Sequence, residues 1–248
     1  MKYLLIALTL LACHSGNRKN ATALPPDPLD TIQSSVPANL AEPAIFEAAF
    51  SKGTTKKVND ATVHFYGINI GNIKLPTGRV VACDPLHIDE YGKPFTQIFP
   101  TGAFPLQLSI IKVEAEESIA FARIKFSDSA VVKWSLALLA GEEDIPIEKE
   151  AIHGYGVDAG IGIFMDESMI KQLDLEKLRS MNAPLYQDME KHRHYGWRYT
   201  LFNVGAQNMA AFTSGLGDGR YASYIGFDAA GKPCRLLTDF AVYYWKKN

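Results

Sequence analysis

A run of alternating glycines constrains this chain more than any other stretch. Residues 154 to 166 read Gly-Tyr-Gly-Val-Asp-Ala-Gly-Ile-Gly-Ile-Phe-Met-Asp. Successive side chains of a β-strand point to opposite faces, so the run predicts a strand with one apolar face and one nearly bare face. Glycine weakens a strand unless something must approach its backbone closely. We therefore expect this strand at the centre of a sheet, with a close neighbour across its bare face.

Two kinds of neighbour fit that bare face. Large side chains from a facing sheet would make it part of the core, which is the common use of glycine at close contacts. Alternatively, a ligand would lie across it, with Asp158 as the polar contact because this carboxylate stands among four glycines. The sequence leaves both interpretations open.

The rest of the chain predicts a mainly β (α+β) fold. Short runs rich in β-branched and aromatic residues alternate with turn sequences. The expected strands are 63–73, 79–83, 104–114, 118–126, 131–139, 154–166, 209–214, 221–227 and 234–245. Short helices are expected over 39–50, after an N-cap at Asp166, and over 185–192. These elements favour an antiparallel sheet sandwich or distorted barrel with two or three short helices.

Composition limits the class of protein. Of 248 residues, 47% are hydrophobic and the formal net charge is -2, which is typical of an ordinary globular core. That charge provides no electrostatic basis for a nucleic-acid partner. No run of eighteen apolar residues occurs, so the sequence predicts no membrane-spanning helix.

The N-terminus predicts export and lipidation. Lys2 precedes a ten-residue apolar run from Tyr3 to Ala12, which suits a signal peptide and is too short to span a bilayer. The run ends Leu-Leu-Ala-Cys, which resembles a bacterial lipobox. The resemblance implies cleavage before Cys13 and lipidation of that cysteine. His14 follows where inner-membrane lipoproteins carry aspartate, so the resemblance implies the outer membrane of the cell envelope. An ordinary signal peptide with a chance cysteine is the alternative.

Three segments follow from this interpretation. Residues 1–12 form the lipoprotein signal peptide, and residues 13–38 form a tether rich in Asn, Ser and Pro without hydrophobic periodicity. Residues 39–248 form a single globular domain. The expected partners are the membrane, through the lipid anchor, and an unidentified ligand or protein.

Aspartates at expected strand ends and turns are the main candidates for chemistry. Asp166 can cap a helix, and Asp84 and Asp218 can hold turns. Asp239 is different because it lies inside an apolar run, where a carboxylate must be paired or hydrogen-bonded. If three of these carboxylates converge, they would suit Ca²⁺ or Mg²⁺ or supply an acid–base pair. The candidate ligand or metal residues are Asp84, Asp158, Asp218, Tyr221 and Asp239.

No motif of a known reaction is present. The chain has no Gly-x-Ser-x-Gly elbow, no P-loop and no His-Glu-x-x-His pair. Whether the protein is an enzyme therefore stays open. Cys83 and Cys234 lack metal-type spacing, so zinc is not expected. An oxidising compartment allows them to form a disulfide, but two buried free thiols fit equally well.

Five short motifs occur in order along the second two-thirds of the chain. They are Gly78–Pro85, Phe99–Pro105, Gly156–Gly160 with Asp166, Ser214–Tyr221 and Asp239-Phe240. Together they resemble a bacterial family known as domain of unknown function 4241. The resemblance extends from about Gly67 to the C-terminus, and it implies a shared fold and a set of characteristic positions. The family carries no established reaction, so it implies no activity.

The expected function is that of a lipid-anchored extracytoplasmic module that binds a ligand or protein. The expected site is a shallow acidic one, formed by the glycine-rich strand, the Asp84 corner and the Gly-Asp-Gly corner at Asp218. One alternative is a metal-assisted hydrolase that uses Asp158 with Asp218 or Asp239. Another is a protective, immunity-type partner of a secreted toxin, which would use a broad surface.

Lipidation at Cys13 is directly testable. Cells fed radiolabelled palmitate should label the wild-type protein, because the lipobox cysteine carries the acyl chains. The Cys13→Ser protein should take up no label, whereas Cys234→Ser should label as the wild type does. Label on the Cys13→Ser protein would contradict the anchor.

Overall fold

Strands dominate the folded part of the chain. A computed structural model describes residues 43–149, 152–180 and 182–246. The expected signal peptide, Cys13, the tether and the start of the first expected helix lie outside these residues. The strands are β1 Thr54–Val58, β2 Ala61–Leu75, β3 Val80–Cys83, β4 Gly102–Val113, β5 Glu116–Lys125, β6 Lys133–Leu136, β7 Tyr155–Val157, β8 Ile161–Asp166, β9 Tyr199–Val204, β10 Gln207–Thr213, β11 Gly219–Tyr221, β12 Ser223–Phe227 and β13 Pro233–Asp239.

The helices are short. They are α1 Ile45–Ala48, α2 Ile88–Tyr91, α3 Leu175–Leu178 and α4 Pro184–Glu190, with 3₁₀ turns at Pro85–His87 and Glu167–Gln172. Helices of this length have little stability of their own, so packing on the sheets must hold them. Within the described residues, no helix is long and apolar enough to cross a membrane.

Antiparallel sheets organise these elements, as the sequence predicted. A seven-stranded sheet has the order β1-β2-β4-β5-β13-β12-β6 and curls into a half-barrel. A four-stranded sheet has the order β3-β8-β10-β9, and β7 pairs with β11. The mainly β fold is confirmed. Its form is a curled sheet with a second sheet beside it.

Helix α1 supplies the centre of the main core. The Phe46 ring is fully buried, and its centroid lies 4.5 Å from that of Trp245 and 4.9 Å from that of Tyr224. Phe121 and Trp134 meet the same ring edge-on at 5.7 and 5.1 Å. Edge-to-face aromatic contacts at these separations add to the stabilisation from burial. The side chain of one short helix therefore joins β5, β6, β12 and the C-terminal segment.

A charged network holds α1 against the sheet. Glu47 accepts hydrogen bonds from Arg123 Nη1 at 2.8 Å and from Arg235 Nε at 3.0 Å. The side chains of Arg123 and Arg235 are only 9% and 5% exposed. Burial lowers the pKa of Arg123 to about 10, against the opposing attraction of Glu47. Arg123 also lies 3.8 Å from the centroid of the Phe50 ring, so the network spans both ends of the helix.

A second core lies beneath the four-stranded sheet. It contains buried side chains of β3, β8 and β10, Met169 of the 3₁₀ turn Glu167–Gln172, and Leu185 and Met189 of α4. The predicted cap at Asp166 is confirmed, since its carboxylate accepts from Ser168 N at 3.0 Å. Thr77 N also donates to it at 2.9 Å, so the same carboxylate holds the turn before β3.

Several predicted elements change in detail. The expected final strand, 234–245, ends at Asp239 because the backbone turns through a left-handed conformation at Ala241, with φ 56°. The edge strands β1 and β9 were not predicted. Cys83 and Cys234 are both buried and free, so the structure favours the free thiols over a disulfide.

The Glu47 network yields a stability prediction. Glu47→Ala leaves two buried guanidinium groups without their carboxylate and should lower the free energy of unfolding by about 2–3 kcal/mol. That is less than for a fully buried pair, because the Glu47 side chain is 37% exposed. Urea unfolding followed by tryptophan fluorescence measures the change. Glu90 is exposed, so Glu90→Ala is the matched control and should shift the free energy of unfolding by less than about 0.5 kcal/mol. If both variants lost the same stability, the role of the Glu47 network would be contradicted.

Candidate functional site

The glycine-rich stretch forms two strands. β7 and β8 are separated by a bend at residues 158–160, hereafter the 158–160 bend, where Gly160 has φ +61°. The prediction of one continuous strand is therefore wrong. The physical reason is that the backbone N–H groups of the bend donate to carboxylates and therefore do not pair with a neighbouring strand.

Two predicted site residues hold that bend. Asp84 is 1% exposed, and its Oδ2 accepts from Asp158 N and Ala159 N, each at 2.7 Å. Its Oδ1 accepts from Leu86 N at 2.7 Å, which starts the turn after β3. From the other side, Asp218 Oδ1 accepts from Gly160 N at 3.0 Å. Asp84 is thus committed to backbone groups and joins the ends of β3 and β7.

The bare face of the glycines is covered mainly by the protein itself. A methyl group placed at Gly162 would lie 2.9 Å from the Tyr155 hydroxyl and 3.3 Å from the Phe212 ring. At Gly154 it would lie 1.9 Å from the Tyr221 carbonyl oxygen. Aromatic packing and a close backbone contact therefore explain these two glycines. Gly156 is the exception, because no atom lies within 4 Å of such a methyl group.

Tyr221 has a structural position. It is 3% exposed, and its hydroxyl donates to the Gly217 carbonyl at 2.7 Å. Its ring meets Phe240 edge-on at 5.2 Å. Burial raises the pKa of Tyr221 to about 12, so the hydroxyl stays protonated as a donor at neutral pH. The residue closes the Gly-Asp-Gly corner.

Two carboxylates at the 158–160 bend reach solvent. The Asp158 side chain is 73% exposed, and its Oδ2 lies 3.3 Å from His87 Nε2. Asp218 is also exposed. Sequence reasoning missed His87, whose only signal is that it follows the Asp84-Pro85 corner. Among the residues that the structure describes, no group of three or more His, Cys, Asp and Glu side chains is placed to hold a metal ion. A convergence of three carboxylates, which would have suited Ca²⁺ or Mg²⁺, is not found among these residues.

Asp239 lies apart from the bend, in a cavity. It is the last residue of β13, at the point where the chain turns, and it is 8% exposed. Oδ1 accepts from Ala241 N at 2.8 Å, and Oδ2 accepts from Trp245 Nε1 at 2.7 Å. The prediction that this carboxylate must be hydrogen-bonded is confirmed.

The cavity beside Asp239, hereafter the C-terminal pocket, has a volume of about 240 Å³. Its walls combine aromatic rings, three basic side chains and one carboxylate. They are Ile152, His153, Arg220, Ala222, Tyr224, Asp239, Ala241, Tyr243, Tyr244, Trp245 and Lys246. The sequence predicts a strand over residues 240–245 and gives no sign that this segment forms a wall of the pocket.

Family membership follows from a comparison of the whole chain with family models. Residues 73–238 match the model described as "Protein of unknown function (DUF4241)". The chain belongs to this family. The DUF4241 segment begins in β2 and ends in β13, so it contains Asp84, the 158–160 bend and Tyr221, whereas α1 and Asp239 lie outside it. No curated protein and no solved structure matches the chain.

The glycines give a matched pair of variants. Gly154→Ala should lower the free energy of unfolding by about 2 kcal/mol or more, because its φ is +88° and the methyl group would overlap the Tyr221 carbonyl. Gly156→Ala, two residues away with open space around it, should change stability by less than about 0.5 kcal/mol. Thermal or urea unfolding compares them. Equal losses of stability in the two variants would contradict the role of the close contact at Gly154.

Proposed function

We propose that this DUF4241 protein is a lipid-anchored extracytoplasmic binding module and that the C-terminal pocket is its ligand site. The observation that carries the proposal is the position of Asp239. Of the five residues singled out from the sequence, Asp239 combines burial with a place in the wall of an aromatic cavity. Concave, largely apolar sites with a few fixed polar groups are typical of small-molecule binding.

The carboxylate of Asp239 is held in one orientation. Donors from the backbone of Ala241 and the indole of Trp245 each bond one of its oxygens. Hydrogen bonds to a charged acceptor are stronger than neutral ones. A ligand would therefore meet a preorganised group, and less conformational entropy is lost on binding to such a group.

Trp245 is held by the core as well. It is 2% exposed, and its ring packs against Phe46 at 4.5 Å and Tyr224 at 5.5 Å. Aromatic walls contribute large contact areas with few rotatable bonds. The pocket therefore has rigid walls on the side nearest the core, which favours binding of a compact ligand.

The 158–160 bend gives weaker support for the hydrolase alternative. Asp158 and His87 form an acid–base contact, but the Asp158 side chain is 73% exposed. Catalysis by an acid–base pair generally requires groups that are buried and shielded from water. Binding at the C-terminal pocket has the better structural support.

The anchored location fits a binding role. The lipobox-like sequence at Cys13 and the tether over 13–38 would hold the domain at the envelope membrane, on the side where external ligands arrive. This part of the proposal rests on the N-terminal sequence, and the palmitate experiment decides it.

A pocket-filling variant tests the binding proposal. A library of small organic compounds, screened by saturation-transfer NMR, should contain binders of the wild-type protein. Those binders should lose their signal with Ala222→Phe, since Ala222 lines the C-terminal pocket and a phenyl ring would occupy the cavity.

Ala140→Phe is the matched control, because Ala140 is exposed and lies outside this pocket. It should keep the binding signal. Circular dichroism confirms that both variants fold. A library with no binder, or binders that tolerate Ala222→Phe, would overturn the assignment of the pocket.

A further inference from the structure

Arg220 brings an unused cation to the wall of the C-terminal pocket. It lies on β11, its side chain is exposed, and it lines the cavity. Among the residues that the structure describes, no ion pair or hydrogen bond engages its guanidinium group. The other basic side chains of the wall, His153 and Lys246, each contact a backbone carbonyl oxygen, at 2.9 and 3.3 Å. Arg220 is therefore the cation whose N–H donors are open to a ligand.

The surface beside Arg220 is open. The residue opposite it in the β7–β11 ladder is Gly156, so β7 places no side chain next to it on the shared face. Tyr155 and Tyr221, their neighbours along the strands, are buried on the other face. A methyl group placed at Gly156 would have no atom within 4 Å. The part of the glycine face that the protein leaves uncovered is thus the part beside Arg220.

The Asp239 carboxylate contributes shape to the pocket and does not serve as a second binding group. Ala241 N and Trp245 Nε1 donate to its two oxygens, and the residue is only 8% exposed. These donors offset part of its negative charge. The same wall carries two permanent cations, Arg220 and Lys246, against this one carboxylate. The charge of the wall therefore favours an anion over a cation.

Apolar groups provide most of the remaining wall. Trp245 and Tyr243 are 2% and 6% exposed, and both line the cavity. Ile152 lines it as well and is 85% exposed, so a ligand can cover an aliphatic side chain there. The volume of about 240 Å³ is below the range of about 300–1,000 Å³ that suits drug-sized ligands. The cavity therefore fits a single small molecule with an apolar body.

We propose that the C-terminal pocket binds a small monocarboxylic acid with an apolar or aromatic body. The ligand carboxylate pairs with Arg220, because the planar guanidinium fork matches a carboxylate through two parallel hydrogen bonds. The body of the ligand packs on the aromatic wall at Trp245, and no second charged contact is required. This inference rests on the proposed function, and it specifies the ligand class of that same site.

Isothermal titration calorimetry with the folded protein tests the proposal. Hydrocinnamate and isocaproate are the probes. Their amides keep the shape and lose the charge, whereas acetate keeps the carboxylate and lacks the apolar body. At least one of the two acids should bind saturably. Its amide and acetate should each bind about tenfold more weakly or worse, because the amide loses a charge-assisted contact and acetate loses apolar burial.

A substitution of Arg220 assigns the carboxylate contact. Arg220→Gln should weaken binding of the acid about tenfold or more and leave the weaker affinity of its amide unchanged, because only the charged contact is removed. Arg179→Gln removes an exposed arginine outside the pocket, so it is the matched control and should bind the acid as the wild type does. Circular dichroism confirms that both variants fold.

Other results would overturn the proposal. If an amide binds as tightly as its acid, or if Arg220→Gln binds the acid as the wild type does, Arg220 does not recognise a carboxylate. If neither acid binds, the ligand class is wrong. The binding function itself is judged separately, by whether compounds from the library lose binding with Ala222→Phe.

Discussion

The Glu47 carboxylate, bonded to Arg123 and Arg235, is the interaction on which the rest of the structure depends. It holds a four-residue helix that has no side-chain N-cap and too few turns to be stable alone. With the helix in place, Phe46 reaches Trp245 and Tyr224, which are walls of the C-terminal pocket. The walls of the candidate ligand site therefore depend on α1, which precedes the residues that match the DUF4241 family.

The two well-buried candidate carboxylates have opposite uses. Asp84 is spent on three backbone N–H groups and joins two sheet edges, so its chemistry is structural. Asp239 is fixed by one backbone and one indole donor and still borders a cavity. Both are aspartates at the end of a strand, but their surroundings differ. Asp84 faces the 158–160 bend, whereas Asp239 faces an aromatic pocket.

Sequence reasoning reached the fold class, the Asp166 cap and the hydrogen-bonded state of Asp239, because these follow from local pattern and from the penalty for burying a bare charge. It could not divide the glycine stretch into β7 and β8, since the division depends on carboxylates from residues far along the chain. It also missed His87 beside Asp158. An isolated basic residue in a turn carries no periodic signal, and its role depends on what the fold brings next to it.

The sequence by itself determined a mainly β domain of the DUF4241 family with a lipobox-like N-terminus, and it determined that certain glycines and aspartates have special positions. Periodicity of two, turn residues and composition carry that information locally. Only the tertiary structure decided that the glycine face meets Tyr155 and Phe212, and that Asp239 shares a cavity with Arg220. Those contacts join residues distant along the chain, and long-range packing, which no local pattern encodes, sets them.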